Sequence, residues 1–169
     1  MEYDAKVLYR EVQHFRQNWL WILILGIAGL SLYSVVEQLI LGRPFGTNPA
    51  PDIAVLVLAI VFGLGLPILL YKTNLTTEVR TNGLYFRFFP FHLSFQRIPL
   101  EELETYEMCS YRPIRDYGGW GIRYGAKGKA YNVSGNRGVQ LKLSNGRRIL
   151  IGSKNPEEFT RALHSVVKK

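Results

Sequence analysis

The chain has 169 residues, which is enough for one small domain and a short membrane anchor. Its net charge of +8 is unevenly distributed. Residues 72–169 hold 17 Lys and Arg against 8 Asp and Glu, a balance of +9, whereas residues 1–71 hold 4 against 5, a balance of −1. A single cysteine excludes an internal disulfide framework and a cysteine-based metal site. The basic C-terminal part indicates acidic partners, either anionic lipid headgroups or nucleic acid.

Residues 1–18 precede the first apolar run and form a mixed polar and apolar segment. Val7, Leu8, Val12 and Phe15 recur at helical spacing and fall on roughly one stripe. This pattern predicts a short interfacial helix that leads into the membrane. The alternative is that the segment simply extends the first membrane span.

Two uncharged apolar runs follow, residues 19–36 and residues 53–71. Each is about as long as a helix that crosses the hydrocarbon layer of a bilayer. The connection between them is rich in Gly and Pro and cannot continue a helix, so the chain must turn. Ala59 and Gly63 form a small-xxx-small pair that lets two helices approach closely. We predict a transmembrane hairpin over residues 19–71, because residues 72–169 are too few to bury two such helices.

The orientation follows from the Lys and Arg residues near the ends of the spans, since cytoplasmic flanks carry the excess of these residues. The connecting loop contains one, Arg43, whereas each outer flank contains three. These flanking residues are Lys6, Arg10 and Arg16 before the first span and Lys72, Arg80 and Arg87 after the second. The pattern predicts a multi-pass protein of the plasma membrane with both termini in the cytoplasm.

From residue 74 onward the apolar period changes from that of a helix to that of a strand. Strands are predicted over 76–81, 84–89, 92–98, 103–111, 139–143 and 148–152. Two Asn-Gly pairs, at Asn82 and at Asn145, predict tight hairpin turns. A closing helix begins after Asn155, which can cap it, with Pro156 at its first position. Lys168 and Lys169 then fall at the negative end of the helix dipole.

The chain contains, in order, two N-terminal apolar helices, the segments TNGLYFRF and IPLEELETYE, and the closing run VQLKLSNGRRILIGSKNPEEFTRAL. Together they resemble prokaryotic membrane proteins with a pleckstrin-homology-like (bacterial PH) domain, and GWGIRYG…AYNVSGNRGV resembles an uncharacterised subfamily. The resemblance implies a bent β-barrel of about seven strands over residues 72–169, capped by a C-terminal α-helix. It implies no particular biochemical activity. The first hairpin also lacks the Lys and Arg cluster of phosphoinositide-binding PH domains, so that specificity is not transferred.

The glycine-rich segment 118–138 carries the strongest candidate binding residues. Its aromatic and basic side chains suit a boundary that is apolar on one side and anionic on the other. The alternative is a run of tight turns whose charges are merely solvated. The candidate binding residues are Trp120, Arg123, Lys127, Lys129 and Arg137.

Catalytic and metal-binding patterns are weak. The three histidines, His14, His92 and His164, fall on different predicted elements, and the acidic residues at 101–107 have no histidine at ligand spacing. We therefore predict no catalytic residue, no metal and no cofactor. The leading hypothesis is a membrane-anchored, non-enzymatic interaction module that binds a protein partner, another copy of itself or anionic headgroups. One alternative is a nucleic-acid binder, which is disfavoured because the basic residues are spread along the sequence rather than clustered. The other is a membrane enzyme with a pocket joining His92 to residues 101–107.

Overall fold

The structure, a computed structural model, describes residues 5–167. The chain divides into two compact units. One is helical and comprises Phe15–Lys72, and the other is mainly β and comprises the residues on either side of it, up to His14 and from Thr73. The first residues of the predicted N-terminal segment, 1–4, and the last two of the predicted β domain, 168 and 169, lie outside the described residues. The helical unit is thus an insertion within the sequence of the β unit.

The helical unit contains two long apolar helices. The first begins as α1 (Asn18–Val35) and continues through a π-helical turn to Ile40. The second consists of α2 (Asp52–Leu58), a π-helical stretch (Ala59–Gly65) and α3 (Leu66–Lys72). Their most apolar windows have mean hydropathies of 2.1 and 2.9, and only 17% of each window is buried. By length and composition both helices could span a membrane, and they contain the predicted spans 19–36 and 53–71.

Small residues bring the two helices together. Ala28 and Ala59 are buried, and a Cβ placed on Gly63 would lie 3.0 Å from Leu32 Cδ2. The predicted role of Ala59 and Gly63 at a close helix–helix contact is therefore confirmed. Next to the connection between the helices, Gln38 Nε2 donates to the Ala50 carbonyl at 2.7 Å.

A larger side chain at Gly63 should separate the helices. We expect Gly63→Ile to destabilise the helical unit by about 1–3 kcal/mol, because the added atoms overpack the contact with Leu32. Gly26→Ile is the matched control, since a Cβ on Gly26 meets nothing within 4 Å. Denaturant titration of the full chain in detergent, followed by circular dichroism, measures both variants. Equal losses would contradict the close contact.

The first sheet contains four antiparallel strands in the order β1-β2-β3-β4. They are β1 (Val7–His14), β2 (Asn74–Arg80), β3 (Gly83–Phe89) and β4 (Gln96–Ile98). The predicted strands at 76–81 and 84–89 and the turn between them are confirmed. The strand predicted over 92–98 is much shorter, because the chain bends at residues 93–94 and extended pairing begins only at Gln96.

The N-terminal segment is a strand, and the predicted interfacial helix over residues 1–18 is wrong for the described residues. Tyr9 and Gln13 are buried on one face of β1, whereas Leu8 and Val12 are 41% and 42% exposed on the other. Burial therefore alternates with a period of two residues, as in a strand. The apparent helical stripe combines residues from both faces of this strand. This segment forms a strand because it pairs with β2, which follows the whole helical unit in the sequence. Long-range pairing thus overrides the local pattern.

The second sheet contains five strands in the order β5-β8-β9-β7-β6, with β7 parallel to β9 and the other neighbours antiparallel. The strands are β5 (Leu103–Ser110), β6 (Gly121–Gly125), β7 (Gly128–Asn132), β8 (Arg137–Leu143) and β9 (Arg148–Gly152). A short helix α4 (Pro113–Tyr117) follows β5, and α5 (Pro156–Val167) ends the described chain. The predicted strands β5, β8 and β9 and the closing helix are confirmed. Lys168 and Lys169 lie outside the described residues.

Within residues 5–167 the two sheets do not close into a barrel, and their nine strands replace the expected seven. The short strand β4 forms one edge of the first sheet, and the β6–β7 hairpin forms one edge of the second. These two edges are too short to join the sheets by a long series of backbone hydrogen bonds. Helix α5 instead packs against both sheets, with Phe159 and Leu163 fully buried. The expected capping by a C-terminal helix is confirmed, and the closed barrel is not.

A polar cluster fastens β1 to the segment that follows β9. One Glu11 oxygen accepts hydrogen bonds from Tyr9 Oη at 2.6 Å and Ser153 Oγ at 2.7 Å, and the other accepts from the Lys154 amide at 2.8 Å. Gln13 Nε2 donates to the Gly152 carbonyl at 2.7 Å. Burial and the Glu11 carboxylate raise the pKa of Tyr9, which keeps its hydroxyl protonated as a donor. The Tyr9 ring also stacks on Phe159 at 5.3 Å.

These contacts make β1 an integral part of the β domain. We expect residues 73–169 alone to be destabilised by more than about 3 kcal/mol, because they lose the buried Tyr9 side chain and a whole strand ladder. Joining His14 directly to Asn74 through an Asn-Gly turn should restore stability, since these two residues pair across the sheet. Urea unfolding of the two soluble fragments measures the difference. Equal stability would show that β1 is dispensable.

Candidate functional site

A cleft of about 620 Å³ opens in the β domain between the two sheets. The first sheet contributes residues of β3 and β4, and the second contributes residues of β6, β7 and the β8–β9 hairpin. A volume of this size is typical of small-molecule sites. Because the sheets do not close into a barrel, the gap between them remains accessible from solvent.

The charged residues of the cleft are mostly basic. Arg97, Lys129, Arg147 and Arg148 line it, with Glu102 as the single acidic residue among the described lining. Four cations against one carboxylate produce a positive potential that a partly enclosed, low-dielectric site concentrates. The cleft is therefore suited to an anionic ligand.

Two aromatic rings hold Lys129. Its Nζ lies 4.9 Å from the ring centroid of Tyr131 and 5.2 Å from that of Tyr124, a cation–π arrangement on both sides. Burial acts to lower the pKa of Lys129, but interactions with the Tyr131 and Tyr124 side chains outweigh it and raise that pKa above its ordinary value. Lys129 therefore remains a fixed cation at neutral pH.

Two hairpin turns position the arginines. Arg97 Nη2 donates to the Asn82 carbonyl at 2.9 Å, and Arg147 Nε donates to Asn145 Oδ1 at 3.3 Å. Both acceptors belong to Asn-Gly turns, one in each sheet. Arg148 begins β9 and is exposed. The guanidinium groups thus approach the cleft from both sheets.

The wall between the sheets is aromatic. The Phe86 ring, from β3, packs on the Tyr131 ring, from β7, with centroids 4.6 Å apart. His92 contacts both rings, at 6.1 and 5.5 Å, without lining the cleft. Burial, followed by the nearby Lys129 charge, lowers the pKa of His92, so its ring is neutral at pH 7. This cluster joins the two sheets behind the basic residues.

Gly128 allows β7 to approach β9 closely enough to place Lys129. Its φ is +101°, and a Cβ at this position would lie 2.2 Å from the Arg148 carbonyl oxygen. A residue with a side chain would therefore have to push the two strands apart. Only glycine tolerates both the backbone conformation and the contact.

We expect Gly128→Ala to lower the free energy of unfolding by at least about 2 kcal/mol more than Gly121→Ala. Gly121 has a similar φ of +112° but a Cβ there would meet nothing closer than 3.9 Å, so it controls for backbone strain alone. The unfolding titration uses either the full chain in detergent or the fragment in which an Asn-Gly turn joins His14 directly to Asn74. Equal effects at the two positions would contradict the close strand approach.

The structure separates the five candidate binding residues predicted from the sequence. Lys129 alone lines the cleft, and Lys127 lines a neighbouring depression of about 260 Å³ with Lys142 and Arg148. Arg123 Nε donates to the Trp120 carbonyl at 3.0 Å, and Trp120 Nε1 donates to the Gly135 carbonyl at 3.2 Å.

The fifth candidate, Arg137, lies away from the cleft. It forms an ion pair with Glu157 in the first turn of α5, and that hydrogen bond lowers the pKa of the Glu157 carboxyl. Arg137 therefore has a partner within the fold.

Sequence reasoning missed the three arginines of the cleft. Arg97, Arg147 and Arg148 were treated only as strand or turn residues, because the cleft unites segments about 50 residues apart in the chain. A local signal existed in the Asn-Gly-Arg-Arg turn, which exposes two adjacent arginines.

The acidic residues do not form a site of their own. Glu102 faces the cleft, and Glu104 is paired with Lys142 at 2.7 Å. His164 Nδ1 lies 3.0 Å from Tyr106 Oη, which ties α5 to β5. Among residues 5–167 no three His, Cys, Asp or Glu side chains are grouped as they would be around a metal ion.

The chain therefore combines two helices that could span a membrane with a two-sheet, mainly-β domain that carries a basic cleft. It belongs to a family of unknown function, DUF6141, which matches residues 1–169. A search of curated proteins gives no match.

Proposed function

We propose that the protein is a membrane-anchored, non-enzymatic binding module whose β domain holds an anionic ligand in the basic cleft. The observation that carries this proposal is the convergence of Arg97, Lys129, Arg147 and Arg148 on one cleft with a single opposing carboxylate. Charge-assisted hydrogen bonds from such groups are the strongest polar contacts available to a phosphate or carboxylate.

Anchoring by a transmembrane hairpin is supported by the helices of the helical unit. Both are uncharged over most of their length and leave most of their apolar side chains uncovered. In water this exposure would be strongly unfavourable, and in a bilayer it is not. As part of this proposal, the β domain and both termini lie on the cytoplasmic side of the plasma membrane, which the excess of Lys and Arg outside the connecting loop supports.

A PH-like architecture is part of the same proposal. The order of elements supports it, with a four-stranded antiparallel sheet, then β5, β8 and β9 in a second sheet, and a C-terminal helix packed against both. In this interpretation α4 and the β6–β7 hairpin are an insertion between the fifth and sixth strands. The insertion supplies Lys129 and Tyr124, so the cleft combines residues of the insertion with residues of both sheets.

The size and exposure of the cleft favour an anion of headgroup dimensions or a short acidic segment of a partner protein, including a second copy of this chain. Its basic residues lie within one cleft rather than along an extended stripe, which disfavours nucleic acid.

Titration with soluble anions tests the proposal. The full chain in nanodiscs of zwitterionic lipid is titrated with inositol hexakisphosphate, an oligoglutamate peptide and a short single-stranded DNA by calorimetry. Lys129→Ala and Arg97→Ala should each weaken binding of the preferred probe roughly tenfold, because each removes one charge-assisted contact. Added salt should weaken binding further.

Arg115→Ala is the matched control. Arg115 also carries one positive charge but lies on α4, outside the cleft, with its side chain 72% exposed. Its substitution should change affinity by less than about twofold, since exposed distant charges are screened. An equal loss at Arg115, or no binding of any of the three anions, would contradict the proposal. The preferred probe also distinguishes a headgroup-like ligand from an acidic peptide and from nucleic acid.

A further inference from the structure

The loop between β3 and β4, residues 90–95, presents an exposed apolar tip. Phe91 is 64% exposed and Leu93 is 80% exposed, the highest value among the large hydrophobic side chains described. Exposing two large apolar side chains in a short loop is unfavourable in water, so such tips commonly mark an interaction surface.

The tip is ordered rather than collapsed onto the domain. The His92 amide donates to the Phe88 carbonyl at 2.8 Å, which closes a turn, and the His92 ring packs inward against Phe86 and Tyr131. With His92 facing inward, the residues on each side of it face outward. The Phe91 ring lies tilted against the Phe88 ring, with centroids 6.0 Å apart, and 64% of the residue remains exposed.

The register of the first sheet shows which end of the sheet bears this loop. His14, Asn74 and Phe89 form one row across β1, β2 and β3. Directly beyond His14 the chain enters the apolar helices, and directly before Asn74 it returns from them. The loop after Phe89 therefore leaves the sheet at the same end as both connections to the helical unit.

We infer that Phe91 and Leu93 insert into the interfacial layer of the bilayer in which the two helices are anchored. This inference rests on the proposed anchoring and goes beyond it, because it gives the β domain a second, non-covalent contact with lipid. Aromatic and aliphatic tips are well suited to the boundary between headgroups and acyl chains.

A basic side chain at the base of the loop fits the same occupant. The Arg87 guanidinium lies 4.9 Å from the ring centroid of Phe95, the last residue of the loop, and 6.0 Å from that of Phe89, the residue just before it. A positive charge at the base of a loop with exposed apolar residues matches an anionic headgroup layer over hydrocarbon. A partner protein would not explain why the tip lies at the end of the sheet that is connected to the helices.

Fluorescence quenching by spin-labelled lipid tests the inference on the full chain in liposomes. In a Cys109→Ala background, an environment-sensitive fluorophore is attached to Leu93→Cys and, separately, to two control positions. Leu30→Cys, in the exposed middle of the first helix, reports on anchoring. Ser144→Cys reports on the other end of the domain, because its amide donates to the Glu102 carbonyl just past β4.

The Leu93 probe should show emission shifted to shorter wavelength and loss of intensity with lipid labelled near the headgroup. The Leu30 probe should be quenched most by lipid labelled deep in the acyl chain, and the Ser144 probe by neither. Phe91→Ser should reduce quenching at position 93. If the Leu30 probe is quenched but the Leu93 probe, like the Ser144 probe, is not, the loop inference is overturned while the anchoring stands. An unquenched Leu30 probe would overturn the anchoring and the inference with it.

Discussion

The pairing of β1 with β2 is the constraint on which the rest of the structure depends. The two strands are neighbours in the sheet, yet the whole helical unit lies between them in the sequence. Loop closure over such a distance costs only a few kcal/mol when the ends are already adjacent, as they are for an antiparallel helical hairpin. In return, β1 buries Tyr9 and Gln13 and joins the segment after β9 through Glu11. The β domain is complete only when the chain has passed through the hairpin and returned.

This arrangement also explains how the cleft forms. Helix α5 packs against both sheets, where Phe159 stacks on Tyr9, and so holds them together on one side. The cleft between the sheets stays open because β4 is short and β6 belongs to a hairpin at the far edge of the second sheet. The cations of the cleft come from both sheets, so any change in how the sheets meet would separate Arg97 from Lys129. Binding at the cleft is for this reason tied to the integrity of the fold.

Much of the fold follows from local signals. The apolar runs, the two Asn-Gly turns and the terminal helix each rest on interactions within a few residues, and all were predicted with small errors in their bounds. The strand at Val7–His14 was not, because β2, with which it pairs, is distant in the sequence and its apolar residues happen to mimic a helical stripe. The strands β6 and β7 were hidden by glycines, whose positive φ at Gly128 permits a close parallel approach to β9. Of the cleft, only Lys129 was predicted, since its other cations converge through tertiary contacts.

A disulfide across β1 and β2 tests the split domain most directly. Val12 and Thr76 pair in the sheet, at a separation that a disulfide can bridge. The full chain carries Val12→Cys and Thr76→Cys in a Cys109→Ala background, with a protease site at Gly46 in the connection between the helices. After oxidation and cleavage in isolated membranes, the two pieces should migrate together on a non-reducing gel and separate on reduction. Pieces that separate without a reducing agent would show that β1 and β2 do not pair across the hairpin.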